Sequence, residues 1–220
     1  MTAAPASDDR AWLARPVLEV APLLLGATLT THLPDGVVTV RLTEVEAYDG
    51  EADPGSHAYR GRTARNAVMF GPAGFLYVYR HLGLHVCANV VTGVEGRASA
   101  VLLRAGEVVE GADLARERRT RRGVVRRDVD LARGPARLAD ALGITLEHYG
   151  ADLLGAGPVR LAPPPEPATA WATGPRVGVS GVGGDGEAHP WRFWLPGEPT
   201  VSAYRPATPR RRRAGRPEDG

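Results

Sequence analysis

The stretch ATLTTHLPDGVVTVRLTEVEAY, residues 27–48, reads as a β-hairpin. Ala27 to Leu33 and Val37 to Ala47 are rich in β-branched residues. Pro34-Asp35-Gly36 between them supplies turn chemistry: a fixed proline φ, a short polar side chain and a glycine free to take positive φ. Side chains on a strand alternate between faces. One face of the second strand therefore carries Val38, Val40, Leu42, Glu44, Glu46 and Tyr48, and the other Val37, Thr39, Arg41, Thr43, Val45 and Ala47. Two carboxylates continue the more apolar face. An acid there is costly unless it is paired or functional. Burial raises a carboxyl pKa and a nearby Arg lowers it. A base held between those effects stays ionised yet poorly solvated, which suits activation of water. The alternative is that the strand simply emerges into solvent near Glu44.

Working outward, Val17 to Leu25 is predicted as a helix closed by Gly26, with Pro22 inside it. Residues 48–66 form a polar loop of a length that is usually functional or disordered. A second hairpin follows the Gly71-Pro72-Ala73-Gly74 turn. Its strands are Phe75 to Tyr79 and Val86 to Val91, and its tip is Arg80-His81-Leu82-Gly83-Leu84-His85. Ser99 to Ala105 reads as another strand. Glu107 to Arg122 and Arg137 to Leu142 read as helices separated by a Gly134-Pro135 break. Residues 155–175 read as irregular, and Val177 to Ser180 and Trp191 to Leu195 as short strands. Residues 1–10 and 206–220 are expected to be disordered, the latter as a basic tail, around one domain spanning 11–205.

The 220 residues are enough for a real core. No apolar run approaches the roughly 18 residues of a membrane span, and Met1 to Arg10 has no basic-then-apolar leader pattern. A cytoplasmic protein, nucleoid-associated if bacterial, with no membrane contact is expected. A single cysteine, Cys87, rules out intramolecular disulfides and a Cys-rich metal site; its apolar surroundings suit a small core residue or, less simply, a reactive thiol. All 27 basic residues are Arg, so no lysine can form a Schiff base. Net charge is only +2, but Arg104 to Arg137 and Arg210 to Arg213 are strongly basic. Such runs mark either a nucleic-acid footprint or a solvated face and tail.

Tyr77 and Tyr79 share one strand face, and Tyr48, His57 and Tyr79 together would line an aromatic slot. Planar bases stack on such rings for about 1–3 kcal/mol each, although tyrosines at strand spacing also serve as ordinary core. The hairpin tip sets Leu82 and Leu84 beside Arg80, His81 and His85. An apolar wedge flanked by basic groups suits minor-groove intercalation; packing under the adjacent loop is the other reading.

Together these segments resemble the alkyladenine (3-methyladenine) DNA glycosylase family. The matching pieces run in order: Thr43-Glu44-Val45-Glu46-Ala47-Tyr48, Ser56-His57-Ala58, Arg60 to Asn66, Met69 to Gly74, Phe75 to Tyr79, Cys87 to Val91, Val101 to Ala105, Gly134 to Leu138, Ala141 to Ile144, Pro175 to Ser180, and Pro190 to Trp194. The resemblance implies a mixed α+β fold, a single domain around a curved, mostly antiparallel sheet with a protruding DNA-intercalating β-hairpin. It implies a monofunctional glycosylase that hydrolyses the N-glycosidic bond of alkylated or deaminated purines in double-stranded DNA, acting as a monomer without metal or cofactor. Glu46 would deprotonate water, with Arg104 and the backbone carbonyl of Val177 holding both. Tyr48 would stack on one face of the flipped base and His57 and Tyr79 on the other. The His57 N–H would read the purine edge, and Asn89 would disfavour the exocyclic amine of normal guanine. Leu82, Gly83 and Leu84 would enter the duplex, and Arg62, Arg65, Arg176 and Ser180 would contact phosphates. Better-known relatives carry an aromatic wedge where this chain has Leu82.

Two rival readings rest on other features. Glu44, Glu46, Asp49, Glu51 and Asp53 form an acidic cluster that suits Mg²⁺ in a nuclease. Gly134 to Leu138 loosely resembles a helix-hairpin-helix turn, which suits a non-catalytic damaged-DNA-binding module.

Overall fold

Two hairpins joined through one long strand set the architecture of the computed structural model, which describes residues 10–207. The ends expected to be disordered therefore lie almost wholly outside the described residues. Helix α1, Val17–Leu23, ends two residues before the predicted boundary. Its Pro22 cannot continue the intrahelical ladder. Gly26, at φ +83°, turns the chain into strand β1, Thr28–Leu33. Strand β2, Gly36–Tyr48, pairs back on it from Thr28↔Arg41 to Leu33↔Gly36, as the opening stretch predicts.

The second hairpin comprises β3, Leu76–His81, and β4, His85–Val91. Both strands reach closer to the tip than predicted, with His81 opposite His85. Strand β5, Ala100–Glu110, joins the hairpins by pairing with both β4 and β2. Helices α2, Ala112–Thr120, and α3, Pro135–Leu142, follow. Short strands β6, Val159–Ala162, β7, Ala172–Gly174, and β8, Arg192–Trp194, complete one curled, eight-stranded sheet, in which six strands run in the order β3-β4-β5-β2-β1-β6 while β8 pairs with β2 and β7 with β8. All its pairings are antiparallel. The mixed α+β class and curved sheet are thus as expected. No helix among the described residues is long and apolar enough to cross a membrane.

The predicted alternation along β2 fails at one place, and the site depends on that failure. Val38, Val40 and Leu42 belong to the main core cluster, but so do Val45 and Ala47. The pairing with β5 slips between Leu42 and Glu44 and again between Glu44 and Val45. A bulge of this kind shifts the side-chain phase by one residue. Glu44, Glu46 and Tyr48 therefore do not continue the apolar face; the strand presents them on the side away from the core. Thr43, at the slip, is buried and meets Thr200 hydroxyl to hydroxyl at 2.8 Å.

Other boundaries also differ. Residues 107–110 are strand, not helix, because β2 is long enough to extend the ladder to Thr39↔Glu110 and Arg41 pairs with Glu107. The helix begins only after Gly111, where φ is +73° and an added Cβ would lie 2.1 Å from the Val37 carbonyl oxygen. Pro135 sits in the first turn of α3, where a missing N–H costs nothing. Within 155–175, β6 and β7 find partners in β1 and β8. Residues 177–180 form a turn-bearing loop rather than a strand.

The basic run between Arg104 and Arg137 is largely structural. Arg118 and Arg119 are buried, the first against Asp35 and the Ala141 carbonyl, the second against the Leu131 carbonyl and Asp140. Arg116, Arg121, Arg122, Arg127 and Arg133 also meet acids. Of the ten arginines in that stretch, only Arg104 lines the cavity described next.

Candidate active site

The face of the sheet opposite the main core carries a row of side chains directly opposite one another across five strands. Tyr77 pairs with Asn89, Asn89 with Leu102, Leu102 with Glu46, and Glu46 with Arg192. Directly opposed residues of an antiparallel sheet share a face. Most of the row forms the floor of a cavity of about 720 Å³, whose walls include Tyr48, His57, Tyr79, Cys87, Arg104 and Val177. The loop after β2 is held over this face by a second apolar cluster of Ala58, Met69, Tyr77, Val91, Ala98 and Ala100. Asn66 fixes the loop further by donating to the His57 and Gly61 carbonyls at 3.0 and 3.1 Å.

Glu46 is fully buried at the cavity floor. Its Oε1 accepts the Val177 N–H at 2.7 Å and faces Arg104 Nη1 at 3.2 Å; its Oε2 accepts the Tyr48 hydroxyl at 2.8 Å. The backbone group of Val177 that reaches Glu46 is the N–H, not the carbonyl anticipated from the sequence. Burial, reinforced by the Glu46 charge, pushes the Tyr48 hydroxyl well above 10, so it stays protonated and donates. Burial opposes the charge of Arg104, but Glu46 and Glu44 outweigh it and raise its pKa.

The aromatic residues converge as the slot reading required. His57 meets Tyr79 edge-on with centroids 4.5 Å apart, and Tyr77 stacks beside Tyr79 at 5.6 Å. The Tyr77 hydroxyl and His57 Nδ1 are 3.0 Å apart. Desolvation, then the charges of Arg65 and His81, pull the His57 pKa down to about 4, so the imidazole is neutral near pH 7. The His57 N–H has no hydrogen-bond partner among the described residues. Asn89 is buried and donates to the Tyr77 carbonyl at 3.0 Å. Cys87 is also buried in the wall, and burial raises its thiol pKa.

At the tip, Leu82 has φ +49° and Gly83 φ +73°, and the Leu84 N–H donates to the His81 carbonyl at 3.1 Å. This is the tight hairpin turn that requires two residues of positive φ. Leucine there costs roughly 1–2 kcal/mol. The side chains of Leu82 and Leu84 stand free, 80% and 70% exposed, rather than under a loop.

Arg62 lies over the Phe70 ring at 5.8 Å and Arg65 over Tyr79 at 5.6 Å; both are surface residues, as is Ser180. Arg176 is different. Its side chain is fully buried, with two bonds to Asp53 at 2.5 and 2.7 Å and others to the Ala47 and Gly183 carbonyls at 2.9 and 2.6 Å. Its guanidinium lies 4.5 Å from the centroid of the Tyr48 ring. It is a structural cation behind the slot wall, too deeply buried to make the phosphate contact that the resemblance implied for it. The acidic cluster also does not assemble. Glu44 faces Arg104 and Arg192, Asp53 faces Arg176, and among the described residues no three His, Cys, Asp or Glu side chains converge. The sequence reading missed Asp53, Asn66, Tyr77, Arg192 and Ser202 as supports of the site. Of these, Asn66, Tyr77 and Arg192 lay in the quoted stretches that carried the resemblance, Tyr77 also in the paired-tyrosine pattern and Asp53 in the acidic run.

The family model described as methylpurine-DNA glycosylase matches residues 11–199. A protein of Streptomyces avermitilis is 58% identical over 207 residues, covering 93% of this chain and 94% of its own length. One from Leifsonia xyli is 58% identical over 192 residues, with 86% and 88% covered, and one from Mycobacterium leprae 50% identical over 188, with 83% and 82% covered. Each of the three bears the name "Putative 3-methyladenine DNA glycosylase". The chain belongs to the methylpurine-DNA glycosylase family, and with it to the hydrolases that cleave N-glycosidic bonds in DNA repair.

Proposed function

We propose that this chain flips alkylated and deaminated purines, of the 3-methyladenine, 7-methylguanine, hypoxanthine and ethenoadenine class, out of double-stranded DNA and hydrolyses them with Glu46 as general base. The observation that carries the proposal is the hydrogen-bonding state of Glu46. An ionised carboxylate has about four acceptor positions. The Val177 N–H and the Tyr48 hydroxyl take two of them and Arg104 Nη1 faces Oε1 as an ion pair at 3.2 Å, which leaves room for a water facing the cavity. Glu46 takes a proton from that water, the water oxygen bonds to the sugar C1′, and the electrons of the C1′–N bond leave with the base. A cationic base departs directly, whereas a neutral one such as hypoxanthine takes up a proton. The strand is left intact at an abasic site.

The remaining residues have matching roles. Tyr48 stacks on one face of the base and His57 and Tyr79 on the other, for about 1–3 kcal/mol per stacked ring. The His57 N–H reads the purine edge, and Asn89 excludes the guanine amine. Arg62, Arg65 and Ser180 face phosphates. Leu82, with Gly83 and Leu84, fills the gap left by the flipped nucleotide. The chain acts as a monomer through one domain, residues 11–205.

Duplexes carrying hypoxanthine, ethenoadenine, 7-methylguanine or ordinary guanine test the substrate range, with 2-aminopurine beside the lesion reporting flipping. The first three are released and guanine is not. Leu82→Ala weakens the fluorescence rise and slows excision about three- to tenfold, since a methyl fills the vacated stack poorly. Its melting temperature stays within about 2 °C, because exposed positions contribute little to stability. Release of guanine at the rate of hypoxanthine, or a Leu82→Ala protein that flips as well as wild type, refutes the corresponding part.

A further inference from the structure

Only one carboxylate of the β2 pair lines the cavity, yet the other carries the denser set of bonds. Glu44 is fully buried. It accepts Arg104 Nε at 2.8 Å, Arg192 Nε at 2.7 Å, and the Ser202 N–H and hydroxyl at 2.6 and 2.9 Å. Burial opposes its charge, but Arg104, Arg192 and the Ser202 N–H outweigh that and hold its carboxyl below the usual range. A lone buried acid would be neutral or destabilising; this one is built to remain charged.

The geometry on Arg104 gives that charge a purpose. A guanidinium is a rigid planar fork, so fixing one edge fixes the rest. The Nε–Nη2 edge of Arg104 is held by Glu44 at 2.8 Å and by the Ser202 hydroxyl at 3.4 Å. The remaining nitrogen, Nη1, is the one that reaches Glu46 at 3.2 Å. Arg192 clamps the same assembly from the other side by donating to the Ser202 carbonyl at 2.7 Å.

We infer that Glu44 is a positioning residue for base release, acting on Glu46 through Arg104. Its carboxylate fixes the guanidinium edge so that Nη1 meets Glu46 Oε1. Without it, Arg104 is free to turn and take Glu46 in a two-pronged grip, which fills the acceptor position needed by the water. This inference rests on Glu46 being the general base.

A kinetic double-mutant cycle tests the inference. Single-turnover base release from a hypoxanthine duplex is measured for wild type, Glu44→Gln, Arg104→Met and the double variant, with duplex affinity and melting temperature recorded for each. Glu44→Gln slows release about ten- to a hundredfold, the scale set by small misplacements of reacting groups, with duplex affinity changed less than about threefold. In the Arg104→Met background the same substitution has little further effect, because its route of action is gone. If Glu44→Gln does not fold, Glu44→Asp takes its place; it keeps the charge but is one methylene short of the Arg104 edge. Losses that multiply in the double variant, or a Glu44 variant within about twofold of wild type, overturn the inference. A Glu46→Gln control separates the two failures: if that protein still releases base normally, the general-base reading fails and this one with it.

Discussion

Glu46→Gln is expected to slow base release by about 10²–10⁴-fold, the usual contribution of a positioned general base, while affinity for lesion-bearing duplex changes less than about threefold. Glutamine keeps the length and planarity of the side chain. Its carbonyl oxygen can still accept from Val177, Arg104 or Tyr48, which now hold Glu46 at 2.7, 3.2 and 2.8 Å. It cannot accept a proton from water near neutral pH. If Tyr48, His57, Tyr79 and the Leu82 tip act as proposed, they are unchanged by the substitution, so binding and flipping are expected to persist while bond cleavage is not. Single-turnover release and fluorescence anisotropy in one buffer separate the two quantities. A Glu46→Gln protein within tenfold of wild type would place the base elsewhere, and a variant that lost binding and release together would make Glu46 a structural residue.

The second large effect concerns stability. Arg176→Met is expected to lower the melting temperature by roughly 6–20 °C. Arg176 and Asp53 are both fully buried, and their pairing has two short bonds. Breaking such a pair from one side strands the other charge and costs about 3–5 kcal/mol. In a domain of this size each kcal/mol is worth about 2–4 °C. The Ala47 and Gly183 carbonyls lose donors as well, and Tyr48 loses the cation beneath its ring. A thermal melt followed by circular dichroism gives the number. A fall under about 2 °C would mean that the pair is far better solvated than its burial implies. Asp53→Asn/Arg176→Met together should lose less than the sum of the single variants, since neither then leaves an unpaired charge.

What was legible in the sequence follows from how local each signal is. The first hairpin could be read because alternation, β-branching and a Pro-Asp-Gly turn agreed within one short stretch. The loop of residues 48–66 and the second hairpin were visible for the same reason. The bulge at Thr43 was not, because a bulge is a relation between two strands and appears only once Leu42 and Glu44 are matched to Gly106 and Ala105. Yet that bulge decides which way Glu46 faces. The end of β5 was misread because Glu107 to Glu110 also fits a helix start; the free length of β2 decided it. The phosphate contact implied for Arg176 came from the resemblance, and nothing local marks the residue as buried, because its partner acid, Asp53, is 123 positions away. Arg192 and Ser202 escaped notice likewise, since their work is done on Glu44, which is distant in sequence. The slot of Tyr48, His57 and Tyr79 could be read from the residues and the face each would take from the resemblance, but the row that places Asn89 and Glu46 on one cavity floor could not, because it exists only once the two hairpins are joined through β5.

The products formed by the wild-type protein test the hydrolytic mechanism most directly. A duplex with a single hypoxanthine, labelled on the lesion strand, would be incubated with the protein in the presence of a chelator and sampled with and without an alkali step. The expected result is free hypoxanthine in solution, an intact strand before alkali and a break at the lesion position after it. Strand cleavage before alkali, base release abolished by the chelator, or an intact base after prolonged incubation would contradict hydrolysis of the glycosidic bond by Glu46-activated water.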